Sequence, residues 1–292
     1  MLGGIGTLVI LSEAALSLYP ILIKTVPTDI STQLVARLAT YSVLGFALAS
    51  WSDIRQTWGG LAGLSRSIPL GLMTLAHVFT SYYAFKVLPA GISMSLFYSY
   101  PIFNIIGAAL GFGEKFGTLE LLLITIAFIG VVLVSMDAKE ESQVLEGLEG
   151  ESKAGLNWLG IAAGLAAALT ESGMYFAVRT AKQPNPFYAI LELYPAALPF
   201  LLGGLKLAGK SIDMRGSVWG PMILFNAIVG FVGYCLRFYA VPRISTIVFS
   251  LLSFVGVITS FLWGWLFAGE IPTVTSLIGG SLIAAAAAFV KE

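Results

Sequence analysis

Six ionisable residues lie within stretches otherwise apolar enough to span a membrane: Glu13, Arg37, His77, Glu171, Glu192 and Arg237. A charged side chain at mid-bilayer costs roughly 2.5–3.5 kcal/mol on insertion scales, so each needs a partner or a task. Carboxylates and an imidazole held away from water are natural proton carriers, and a guanidinium presents a planar fork to a carboxylate. Glu13 sits near the middle of an uncharged run from Met1 to Ile23. At helical spacing Gly6, Glu13, Ser17 and Pro20 share one face, as do Gly160, Gly164, Ala168, Glu171 and Tyr175. Small residues let helices approach closely, so both carboxylates are expected to face the protein interior.

Two further stripes are polar: Thr74, His77, Thr80 and Ser81 on one segment, and Asn226, Gly230, Tyr234 and Arg237 on another. Together they predict a midplane chamber in which Glu13, His77, Glu171 and Arg237 bind substrate or carry protons. Tyr82, Tyr98, Tyr175, Tyr234 and Trp263 are the candidate aromatic wall, with Thr74, Ser81 and Asn226 as polar lining. A purely structural reading stays open, in which Glu13 and Glu171 are locked to Arg37 or Arg237 and His77 is a satisfied core histidine. Arg37 and Glu192 lie nearer the span ends, and snorkelling or a mutual ion pair is expected of them. Glu114 and Glu270 close two helices, where capping accounts for them. The Gly-x-x-x-Gly pairs at 107/111, 160/164 and 216/220 read as packing contacts.

The elements that must position these groups are helices. Of the 292 residues 57% are hydrophobic and 11% charged, with mean hydropathy +0.88, a balance that places the chain in the lipid bilayer. Basic and acidic residues number 16 each, so no charge excess points to nucleic acid. The single cysteine, Cys235, excludes an internal disulfide and a thiol metal cluster, and no metal or cofactor motif is present. Apolar stretches of spanning length fall near 3–23, 31–51, 68–88, 90–112, 118–136, 155–178, 187–205, 217–241, 243–267 and 273–290, an all-α membrane protein of ten helices. The first is expected to be a retained span rather than a cleaved signal, for it lacks a basic n-region. Residues 137–153 hold six acidic and two basic residues, a net charge of −4. They predict a solvated linker (137–154) between five-helix halves at 1–136 and 155–292.

The halves resemble one another. A shift of 156 aligns 83–114 with 239–270 without a gap and gives seven identities in 32 pairs, with Tyr-Ala at one end and Gly-Glu at the other. A shift of 158 sets "SEAALSLY" beside "TESGMYFA" and pairs Glu13 with Glu171. Because five is odd, the second copy is expected to run through the bilayer the other way, as in many secondary transporters built of inverted repeats.

The segments "YYAFKVLPAGISMSLFYSYPIFNIIGAALGFGE" and "FYAVPRISTIVFSLLSFVGVITSFLWGWLFAGE" resemble the repeat of the EamA-type transporters of the drug/metabolite transporter superfamily, and the likeness extends over nearly the whole chain. It implies ten helices, cytoplasmic termini and a small-molecule substrate such as an amino acid, another metabolite or a drug. A more distant likeness links Glu13 and Glu171 to the membrane-embedded glutamate of the small multidrug resistance proteins, and implies proton exchange. The spacing from each glutamate to the next basic residue differs between the copies, eleven against eight.

These readings converge on a secondary transporter of a zwitterion or an organic cation, an exporter or exchanger in the plasma or inner membrane, monomeric or homodimeric. Purely anionic substrates would want more buried Lys and Arg. No phosphate-binding loop for nucleotide-driven transport appears. A channel or a membrane sensor is the alternative. An intramembrane enzyme is weaker, because no second histidine or acid–base constellation accompanies His77. Basic residues divide eight to seven between the two sides, a slight bias toward cytoplasmic termini.

Overall fold

The computed structural model describes residues 3–88, 90–149, 158–181, 184–268 and 273–289, and every regular element among them is helical. The chain opens with α1 (Gly4–Leu16) and α2 (Tyr19–Thr25), collinear in sequence but broken at Ser17 and Leu18. Pro20 has no N–H to give back to the preceding turn, so the helix stops and restarts there. Asp29 caps the next helix, α3 (Ile30–Leu48), by accepting from Thr32 N at 2.9 Å. A Ser50/Asp53 capping box then starts the short α4 (Trp51–Trp58), a helix absent from the expected spans.

Next come the long α5 (Leu61–Val87), α6 (Ala90–Phe97) and α7 (Tyr100–Phe112). The break between the last two falls before Pro101, as the first break falls before Pro20. α8 (Thr118–Glu149) continues 13 residues beyond the expected span end, through the first part of the acidic segment. That segment holds Glu, Lys, Gln and Leu without proline, a composition that favours helix. Residues 150–154 of the expected linker lie outside the described residues, as do 155–157 at the start of the second half.

In the second half, α9 (Trp158–Arg179) is followed by α10 (Pro186–Leu193) and α11 (Ala197–Leu207), which break at Tyr194 and Pro195. α12 (Gly216–Phe225) passes through a π-helical turn, Asn226–Phe231, into α13 (Val232–Ala240). α14 (Thr246–Ser253) and α15 (Val255–Trp263) meet at Phe254, and α16 (Val274–Ala288) follows. Phe254 is the residue that the 156 shift pairs with Tyr98, so the two aligned helices break at matching places although only the first has a proline.

Among the described residues, five stretches are long and apolar enough to cross a bilayer: Gly4–Thr25, Trp158–Arg179, Pro186–Leu207, Gly216–Arg243 and Thr246–Phe267. Shorter apolar helices at Tyr100–Phe112, Thr118–Leu133 and Leu277–Ala288 accompany them, and the protein is an integral membrane protein. The most extensive packing joins α8 to α16, α5 to α9 and α1 to α13. The first helix of each half thus lies against the third of the other. At α9 the glycine stripe does what was expected: a side chain at Gly160 would strike Leu88, and one at Gly164 would strike Leu96. At 216/220 the expectation fails, for both glycines face open space.

Candidate functional site

Where α1, α5, α9 and α13 meet, four of the six intramembrane ionisable groups touch. Arg237, 2% exposed, reaches from α13 across to α1, where Nη2 donates to both oxygens of Glu13 at 2.7 Å and Nε donates to Oε1 at 3.1 Å. Its Nη1 donates to Glu171 Oε1 on α9. On the other oxygen of Glu171 stands His77 Nε2, 3.2 Å away, carried by α5. The structure therefore gathers Glu13, Arg237, Glu171 and His77 into one buried chain, assembled from both halves. Breaking such a pair by removing one partner costs about 3–5 kcal/mol, because the remaining charge has no water to turn to.

The chain constrains where protons sit. His77 Nδ1 lies 3.2 Å from the carbonyl oxygen of Ala167, while Nε2 faces the Glu171 carboxyl group. A neutral imidazole has one N–H and one lone pair, whereas here both nitrogens meet acceptors. Nε2 and Oε2 thus frame a position that a proton can occupy.

Tyrosines close the site. Tyr98 donates to Glu13 Oε2 and Tyr234 to Glu171 Oε2, each at 3.4 Å. The Arg237 guanidinium lies 5.4 Å from the ring centres of both Tyr100 and Tyr234, a cation–π arrangement in a water-poor setting. Tyr98 comes so close to the α14–α15 break that a side chain at Gly256 would overlap its hydroxyl. A small cavity of about 30 Å³ remains, lined among others by Tyr19, Arg37, His77, Ser81, Tyr98, Tyr234 and Arg237. That is room for one or two waters.

Several expected residues stand elsewhere. Arg37 and Glu192 do not pair: Glu192 lies 2.7 Å from Arg66 Nε, while Arg37 sits among tyrosines. α10 carries Glu192 against α5, where Arg66 arrives first. Tyr175 is one turn beyond Glu171 and joins a peripheral cluster, donating to Thr246 and accepting from Arg179, which also pairs with Glu114 at 2.8 Å. That ion pair ties the end of α7 to the end of α9, a use of Glu114 beyond capping. Trp263 donates to Ala14 O at 2.8 Å and to Ser17 at 3.0 Å, so it braces the α1 break. Thr74 and Thr80 bond back to their own helix at Leu70 and Ala76. Asn226 is buried and supports the site indirectly by accepting from Tyr19 at 2.8 Å. Tyr82 is buried beside Arg37. Glu270 lies outside the described residues.

The tyrosines missed in the sequence are Tyr19, Tyr41, Tyr100 and Tyr194. Three of them precede a proline, in "YP" at 19, 100 and 194, and each stands at a helix break with 4% exposure or less. The recurring dipeptide was the available signal. The first and third of these breaks send Tyr19 and Tyr194 toward Arg37, whose guanidinium carbon lies 4.5, 5.2, 5.5 and 5.7 Å from the ring centres of Tyr19, Tyr234, Tyr41 and Tyr82.

Comparisons with known proteins agree with this architecture. The model of the EamA-like transporter family matches residues 4–136 and again 158–291. The pseudopaline exporter CntI of Pseudomonas aeruginosa, in strains UCBPP-PA14 and PAO1, is 21% identical over 231 residues, 78% of this chain and 76% of the exporter. A solved crystal structure superposes with a TM-score of 0.68 at 21% identity, covering 97% of this chain and 94% of the other, which supports the fold alone. The chain belongs to the EamA-like transporter family. It is a membrane transporter of small molecules rather than an enzyme.

Proposed function

We propose that this EamA-like transporter is a secondary active carrier, an exporter or exchanger of a small metabolite such as an amino acid or organic cation, that alternates access around the Glu13–Arg237–Glu171–His77 chain. The reading rests on one observation: Arg237 of the second half holds a glutamate from each half at once. A rocking motion between halves must rearrange that grip, so the ionic chain is where substrate and protons can compete with protein contacts. The halves, 1–136 and 155–292, are taken as inverted copies, a reading supported by the reciprocal packing of α1 on α13 and α9 on α5. A cavity of about 30 Å³ is far below the size of a metabolite. In this scheme, loading widens the site by parting the halves.

In this scheme the coupling proton is the one between His77 and Glu171. Substrate arrival from one side displaces it, and reprotonation from the other returns the carrier. Both termini are placed in the cytoplasm, with the chain in the plasma or inner membrane.

Proteoliposome counterflow tests the proposal. Liposomes loaded with an unlabelled mixture of amino acids and organic amines are expected to accumulate labelled members of the same mixture saturably, and an imposed pH gradient is expected to drive uptake. Glu171→Gln should keep counterflow measurable while removing the pH response. Single-channel currents in planar bilayers in place of saturable exchange would overturn the carrier reading.

A further inference from the structure

Resting on that reading, we infer that Arg37 is the subsite for the substrate's carboxylate, so that the transported class carries a free carboxyl group, as an α-amino acid does. Arg37 lies on α3 and is 3% exposed. Among the described residues no carboxylate comes within ion-pair distance of it, and Glu192, the acid expected to neutralise it, is turned to Arg66. Among the described residues its Nε finds no hydrogen-bond partner, and neither does the nearby Tyr82 hydroxyl, although both are buried. The contact from Nη2 to Tyr194 is a long 3.5 Å. Four tyrosine rings shield the cation without cancelling its charge.

The charges of the site point the same way. Arg237 offsets Glu13, and the proton between His77 and Glu171 neutralises that pair, which leaves the charge of Arg37 standing alone beside the cavity it helps to line. A guanidinium does not deprotonate in proteins, so the compensation has to come from an anion. The free Nε edge is the edge that grips a carboxylate with two parallel hydrogen bonds, and Tyr82 supplies a third donor. A carboxylate answers the charge of Arg37, and the ammonium of an α-amino acid takes the place of the proton displaced from the His77–Glu171 pair, so the loaded site is neutral, whereas a phosphate dianion would overshoot it.

The test uses the full chain, purified in detergent or reconstituted. Its thermal stability is measured with glycine, L-alanine, L-leucine, L-phenylalanine and L-glutamate, each against its carboxamide and its decarboxylated amine at equal concentration. At least one acid is expected to raise the melting temperature and to bind about tenfold or more tighter than its amide, the difference that a hydrogen-bonded charge confers. Arg37→Gln should erase that preference, and Arg37→Lys should retain part of it. If Arg37→Gln fails to fold, the comparison of acid with amide on the unaltered protein decides alone. Equal binding of acid and amide, binding of amines only, or binding of none overturns the carboxylate subsite. Counterflow of amines or amides at the rate of the acids would sink this inference and leave the carrier reading standing. Tighter binding of acids without exchange of any of them would do the reverse.

Discussion

Arg237 Nη2 lies 2.7 Å from both carboxylate oxygens of Glu13, although 224 residues separate the two in the chain. That grip, together with the hold on Glu171, makes one side chain of the second half the counter-charge for an acid in each half. Its loss is expected to be the most damaging single change in the membrane interior.

Arg237→Gln leaves Glu13 and Glu171 facing each other without a cation. The expected destabilisation is about 3–5 kcal/mol, measured as loss of the monodisperse peak or a large fall in melting temperature. Arg237→Lys keeps the charge but cannot fork onto two carboxylates, so an intermediate stability is expected. Unaltered melting of Arg237→Gln would show that the chain has little energetic weight.

The two glutamates should separate by role. Glu171 Oε2 faces His77 Nε2 at 3.2 Å, whereas Glu13 is held by Arg237 on both oxygens. Glu171→Gln and His77→Gln are expected to flatten the pH dependence of uptake, and Glu13→Gln to lower stability while leaving the shape of the pH profile. A profile that changes only in Glu13→Gln would reverse the assignment.

Gly256 should not tolerate a side chain. A methyl group there meets the Tyr98 hydroxyl, and that ring is buried and has nowhere to swing. Gly256→Ala is expected to cost about 1–3 kcal/mol by overpacking and to reduce transport through the lost Tyr98–Glu13 bond. The same change at Gly220, which faces open space, serves as the control and should be neutral.

Outside the membrane, Asp213 is held to a pKa of about 2, chiefly by hydrogen bonds from Arg215, and also accepts from Thr28. A carboxylate with a depressed folded-state pKa contributes stability above its unfolded value, near 3.9, and loses that contribution as pH falls through the folded value. Asp213→Asn should therefore melt earlier than the unaltered protein at pH 7. The gap should narrow below about pH 4. A gap independent of pH would assign the effect to packing rather than charge. Because Arg215 is largely exposed, high salt should shrink it.

How much of this was legible beforehand is seen at particular residues. Glu13 and Glu171 announce themselves, since a carboxylate in an apolar run has few places to go, and helical spacing put both on small-residue faces. His77 and Arg237 followed from the polar stripes of their helices. Tyr175 and Trp263 were misplaced because periodicity gives a face but not a height along the axis: one turn moved Tyr175 from the centre to the Arg179–Glu114 cluster. Tyr19, Tyr100 and Tyr194 were overlooked because a tyrosine before a proline reads locally as a helix break. Only the packed structure reveals that each break turns its ring inward.

Sequence alone determined that the chain is helical and membrane-embedded, that its halves are related, and that acids lie within it, because these follow from composition and period. Partner choice was decided only in three dimensions. Arg37 had an acid available on paper in Glu192, yet α10 and α5 meet so that Arg66 takes it. An ion pair depends on a few ångströms of approach between distant segments, and no local pattern encodes that distance.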